Sequence, residues 1–107
     1  MKKKYKLKYS PEFSNDLEKI ISSKRKWGFY ETTIEEFKGD IRSRFETLQT
    51  MPDSGSNVSS RIDKNTDLKY FVIHDCVLVY RILKDDDIVH VLSLWFTRSN
   101  WLHMIFD

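Results

Sequence analysis

The sequence predicts a single α+β domain in which a two-helix hairpin packs on one face of a four-stranded antiparallel sheet. Three observations lead there. Residues 5–9 alternate in type as a strand does, two stretches with apolar residues three or four apart follow, and three runs rich in β-branched and aromatic residues come last. A length of 107 residues is the ordinary size of one domain, so the elements are expected to form one unit over 1–107.

The alternation YKLKY puts Tyr5, Leu7 and Tyr9 on one face and Lys6 and Lys8 on the other. Ser10-Pro11 then signals a helix start, because serine accepts a free backbone N–H and proline is preset to helical φ. Phe13, Leu17, Ile20, Ile21 and Lys24 recur at helical spacing and predict a helix over 11–26. Trp27-Gly28-Phe29-Tyr30 interrupts it. Thr32 with Glu35 three residues on has the form of a capping box and places the second helix start there. The stripe Ile34, Phe37, Ile41, Phe45 and Leu48 carries that helix to the turn formers Pro52, Asp53, Ser54 and Gly55.

A long polar connection runs on to about Asp67. Strands are expected at 68–74, 77–83 and 88–96, joined by the links Asp75-Cys76 and Lys84–Asp87 as an antiparallel meander, with the first strand in the same sheet. The tail from Ser99, with Trp101, Leu102, Ile105 and Phe106 at helical spacing, is a short closing helix or docked segment. With both helices on one side, the other face of the sheet is expected to be left for function.

Composition narrows the class. The single Cys76 closes no intrachain disulfide, and the basic start runs into SPEF rather than an apolar stretch, so a cytosolic, cytoplasmic location is expected. No apolar run approaches the ~20 residues of a membrane span, so no membrane association is expected. Residues 1–30 hold nine Lys/Arg against three Asp/Glu, and residues 31–107 nine against thirteen. That early positive charge, including Lys6 and Lys8, suits a polyanion. Lysines at a chain end more often serve solubility or the blunting of a sheet edge.

The order of elements, together with SPEF at 10–13, Leu48 followed by Pro52 and Gly55, LKYFVIHDCVLVYRI at 68–82 and TRSNW at 97–101, resembles the RelE/ParE toxins of bacterial type II toxin–antitoxin systems. The resemblance covers nearly the whole chain. It implies a toxin held inactive in a hetero-oligomer with a cognate antitoxin, in modules associated with plasmid stabilisation. Two activities follow from it: a ribosome-dependent endoribonuclease (mRNA interferase) that acts on the ribosome and mRNA to inhibit translation, expected first, or inhibition of DNA gyrase by binding alone. Neither implies a metal or other cofactor.

Self-cleavage of RNA through its 2′-hydroxyl needs groups that move protons and cations that stabilise the phosphate. Strand parity puts Val77, Val79, Arg81 and Leu83 on one side and Leu78, Tyr80 and Ile82 on the other. Arg81 is the first catalytic candidate, as a phosphate contact or alternatively a structural ion pair. Arg98 joins it by position after the last strand, and His74 and His103 are candidate proton carriers because histidine titrates near neutrality. Lys69, Lys6, Lys8 and Trp101 are the RNA-binding candidates, Lys69 with surface solvation and Trp101 with a core role as alternatives. His90, among aliphatics, reads as a core histidine. Three scattered histidines without ligand spacing give no metal site. The chain also departs from the nucleases: it has Val77 where several have arginine, and Phe96-Thr97 where they have a basic residue or histidine. Trp27, Phe29, Tyr30, Trp95 and Phe96 are expected to offer an apolar surface to an amphipathic antitoxin helix.

Overall fold

The computed structural model describes residues 3–106. The elements are β1 (Lys6–Tyr9), α1 (Pro11–Lys26), α2 (Glu31–Thr50), β2 (Ser56–Asn57), β3 (Lys69–Ile73), β4 (Cys76–Leu83), β5 (Ile88–Phe96) and α3 (Trp101–Met104). The α1 bounds coincide with the expected 11–26, and the cap is the reason. Ser10 is extended (φ −74°, ψ 153°), its Oγ accepts the Phe13 N–H at 3.1 Å, and the same hydroxyl donates to the Leu92 carbonyl. One serine therefore starts the helix and pins it to the sheet.

The capping box expected at Thr32 and Glu35 does not form. Helix α2 begins at Glu31 after Tyr30, with no side-chain cap, and Glu35 accepts instead from Lys38 at 3.2 Å. The Arg25 guanidinium grips both Glu31 oxygens across the link at 3.0–3.2 Å, and a carboxylate in the first turn also complements the helix dipole.

The sheet order is β1-β5-β4-β3-β2. The meander β3-β4-β5 is antiparallel, as expected, but β1 lies parallel to β5, so the sheet is mixed. A fifth, two-residue strand, β2, arises within the loop after α2 and pairs with Lys69 and Tyr70. The β3–β4 turn is His74-Asp75 rather than Asp75-Cys76, and His74 takes a left-handed φ of 54° there. Between Val79 and Tyr80 the register slips: Val79 faces Ser93 and Tyr80 faces Val91, leaving Leu92 unopposed.

Both faces of the sheet are covered. Under α1 and α2 lie Phe13, Ile20, Phe37, Ile41, Leu48, Phe71, Leu78, Tyr80, Val89 and Val91. On the other face Val77, Val79 and Tyr70 pack beneath Val58, Leu68 and Trp101 from the loop and α3. The expectation of a free second face is thus corrected. A strand buried from Cys76 through Tyr80 without interruption needs apolar cover on both sides.

Candidate functional site

The expected site residues divide between the two ends of the sheet. At the β3–β4 turn, the Thr97 N–H donates to the Asp75 carbonyl at 2.8 Å and brings the segment after β5 beside the turn. Here His74 Nε2 is 2.6 Å from Asp40 Oδ2 on α2, and its ring meets Phe37 edge-on at 5.5 Å. Arg98 lies over the rings of Trp27 and Phe96, at 4.8 and 5.2 Å. The neighbouring Lys24 ammonium is buried, 2.6 Å from Asp75 Oδ1 and 4.8 Å from the Phe29 and Phe37 rings.

Arg81 stands near the β4–β5 hairpin, opposite His90. Phe96 lies six steps along β5 from His90, a span of about 20 Å at ~3.3 Å per residue, and Arg98 is further still. Arg81 and Arg98 therefore share no site. The Arg81 Nη2 donates to Asp67 Oδ1 at 3.0 Å, whereas its Nε–H is buried without a partner among the described residues.

Lys69 does not join them. Its Nζ donates to Asn57 Oδ1 at 2.9 Å and to the Gly55 carbonyl at 3.4 Å, clasping the loop after α2. Trp101 is 4% exposed with its ring 5.3 Å from Tyr70, the geometry of a core anchor and not of a free stacking platform. His103 is exposed on α3. Lys6 and Lys8 project from exposed positions of β1, opposite the face of Leu7.

What the structure does bring together is a row that sequence reasoning missed. Register places Lys8, His90 and Arg81 side by side on β1, β5 and β4. All three face away from the helices, because their neighbours Leu7, Val89, Val91, Tyr80 and Ile82 pack under them. Burial pushes the His90 imidazolium below its ordinary pKa, the cations of Lys8 and Arg81 add to this, and Glu12 opposes it. The sequence alone reads His90 as a core histidine, and the parallel register of β1 with β5 is what shows its neighbours.

Beside the row lies a groove of about 380 Å³ lined chiefly by Leu68, Val79, Leu92, Trp95 and Ile105, with Glu12 and Asp16 at its rim. Burial raises the Asp16 carboxyl, while the Leu94 N–H it accepts at 3.1 Å pulls it back. A second groove, of about 320 Å³, runs over Tyr9, Leu17, Ile21, Ile41 and Phe45 between the helices, with Lys38 and Arg42 alongside. Among the described residues no three His, Cys, Asp or Glu side chains gather as a metal site, and no helix is long and apolar enough to cross a membrane.

Residues 7–101 match the family model described as the ParE toxin of the type II toxin–antitoxin system parDE. Among solved structures, the chain is similar to one of the chromosomal ParDE system from P. aeruginosa, with a TM-score of 0.66 at 15% identity over 86% of this chain and 95% of that one. It is also similar to the free E. coli toxin RelE (TM-score 0.62, 11% identity, 94% and 92% covered). The toxin–antitoxin complex RelBE2 from Mycobacterium tuberculosis gives a TM-score of 0.60 at 15% identity, with 87% and 98% covered. No curated protein matches the chain. At such identities the structures establish the shared fold alone.

Proposed function

The chain belongs to the ParE toxin family of type II toxin–antitoxin systems, and from that premise we propose that it arrests growth by binding its target, DNA gyrase, rather than by cutting RNA. The observation that carries this reading is the dispersal of the catalytic candidates: Arg81 lies about 20 Å or more from the corner of His74 and Arg98. Acid–base cleavage needs its proton carriers and its phosphate cations within hydrogen-bond reach of one phosphodiester. Val77, where several nucleases have arginine, is 2% exposed in the core beneath the loop and α3. A binding toxin needs no such convergence.

The partner that holds the toxin inactive is its antitoxin. Supporting this, the groove between α1 and α2 is apolar with Lys38 and Arg42 beside it, which suits an amphipathic segment bearing acidic residues. Trp27 and Tyr30, 49% and 81% exposed at the link between the helices, offer further aromatic contact.

The test is supercoiling of relaxed plasmid by purified gyrase with the purified chain added. Loss of supercoiling, restored by the cognate antitoxin, is expected; an unaffected gyrase overturns the target. RNA cleavage retains one observation in its favour, that His74 and Arg98 flank the same corner.

A further inference from the structure

We propose that the groove formed by α1, β5 and the end of α3 binds a small amphipathic amine, its apolar body against Leu92 and Ile105 and its ammonium between the carboxylates of Glu12 and Asp16, beside the indole of Trp95. The groove holds about 380 Å³, within the range of small-ligand clefts, and its walls are mostly apolar. Among the described residues the only charged ones that line it are Glu12 and Asp16. The groove between α1 and α2 carries Lys38 and Arg42 instead. An anionic rim on a chain of net charge +2 therefore sets this groove apart and complements a cation.

The two carboxylates are four residues apart on α1, hence on one face with Cβ atoms about 5–6 Å apart. One ammonium fits between them. Neither joins an ion pair among the described residues, and like charges at this spacing repel. Each also has a structural part: Glu12 complements the dipole in the first turn of α1, and Asp16 Oδ2 accepts the Leu94 N–H at 3.1 Å. Those parts leave Asp16 Oδ1 and the Glu12 carboxylate to a ligand.

Trp95 supplies the third contact. Its indole N–H donates to Ser93 Oγ at 2.8 Å, so its polar group is satisfied and the ring face can attract a cation. Asp16 and Trp95 also border a second apolar groove, of about 270 Å³, with Ile20, Phe96 and Met104. Lys19 balances the carboxylate on that side, which directs the ammonium toward Glu12 and leaves the second groove to the apolar end of a longer amine. The cations of Lys8 and Arg81 flank His90, five steps along β5 from Trp95 and so about 16 Å away.

Burial raises the Asp16 carboxyl against the Leu94 N–H and Lys19, and Glu12 adds to the rise. From the loop and the end of α3 only the apolar Leu68 and Ile105 reach the groove. A bound ammonium favours the ionised carboxylate, so affinity is full above the raised value and is lost as pH falls through it. Protonation of His90, which Glu12 also faces, acts in the same direction.

The proposal does not rest on the gyrase reading, so an inactive supercoiling assay leaves it standing. It is tested by amide NMR of the 15N-labelled chain titrated with phenethylamine, phenethyl alcohol and phenylacetate, which present one shape as cation, neutral molecule and anion. Phenethylamine should shift the Leu94 amide and the Trp95 indole N–H saturably, with an affinity of about millimolar for its roughly nine non-hydrogen atoms. The alcohol should bind about tenfold more weakly, and phenylacetate should leave both signals in place. Asp16→Asn keeps an acceptor for the Leu94 N–H, and Glu12→Gln alters an exposed side chain, so the second variant separates binding from folding. Each should weaken the amine about three- to tenfold without changing the alcohol. Amine affinity should fall on acidification through the carboxylate range in the unaltered chain and stay level there in the double variant. No saturable shift at Leu94 and Trp95 up to about ten times that concentration overturns the site. So does equal affinity for the three probes, or unchanged amine affinity in Asp16→Asn and Glu12→Gln.

Discussion

The buried ion pair between Lys24 and Asp75 provides a sharp test of the packing, because its two halves differ in environment. The Lys24 side chain is 3% exposed and that of Asp75 42%. Removing the carboxylate with Asp75→Asn leaves an ammonium in a cage of Phe29, Phe37 and Phe96 without its counter-charge. Breaking a fully buried pair costs about 3–5 kcal/mol; with Asp75 partly in water, screening lowers the expectation to about 2–3 kcal/mol. At ~4 °C per kcal/mol for a domain of this size, the melting temperature falls by about 10 °C. Lys24→Met keeps the volume and the aromatic contacts and leaves behind only a carboxylate that water reaches, so it should cost under about 1 kcal/mol. The double variant should be more stable than Asp75→Asn alone. Chemical denaturation of the four proteins measures all of this. Equal losses for the two single variants, or no loss in Asp75→Asn, would refute the reasoning. Burial raises the Asp75 carboxyl, but the hydrogen bond and charge of Lys24 outweigh it and hold the group below its ordinary value of 3.8. Its contribution is therefore complete above about pH 4 and disappears as pH falls through the lowered value, an acid loss that Asp75→Asn should lack.

Ser10→Ala removes both the α1 cap and the bond to Leu92, and should cost about 1–2 kcal/mol in the same denaturation assay. Gly55→Ala places a Cβ 2.5 Å from the Tyr80 Oη and 2.9 Å from the Tyr70 carbonyl. It should destabilise by more than about 1 kcal/mol, and adding Tyr80→Phe should recover only part, since the backbone clash persists and the hydroxyl's bond to the Pro52 carbonyl is lost. His90 should titrate by NMR below 6.5, and because its folded value is lowered, its contribution to stability is full above 6.5 and is lost as pH falls through the lowered value. A His90 resonance titrating at or above 6.5 would contradict its burial, and with it the proximity of Lys8 and Arg81.

Local signals were legible in the sequence wherever one residue type settles the geometry. Ser10-Pro11 marks the start of α1 because cap and preset φ act within three residues, and the change to β-branched, aromatic runs locates β3, β4 and β5 to within a residue or two. Lys24 ends the apolar stripe of α1 and is buried as its position implies, though its aromatic cage comes from the α1–α2 link, α2 and β5. Non-local geometry was not legible. The alternation of residues 5–9 is the same in a parallel or an antiparallel strand, so nothing local shows that Lys8 meets His90. The cover over the second face did have a signal, the unbroken apolar run at 76–80, which alternation-based reasoning passes over. Parity placed Arg81 on the side away from Tyr80, but its distance from Arg98 follows from the meander's register, which returns β5 to the opposite end of the sheet.

Primer extension on a translated message, in cells expressing the chain without its antitoxin, tests most directly whether this toxin works by binding. Growth arrest with full-length transcripts is the predicted result. New 5′ ends within codons, lost in His74→Ala and Arg98→Ala variants that still fold, would contradict it.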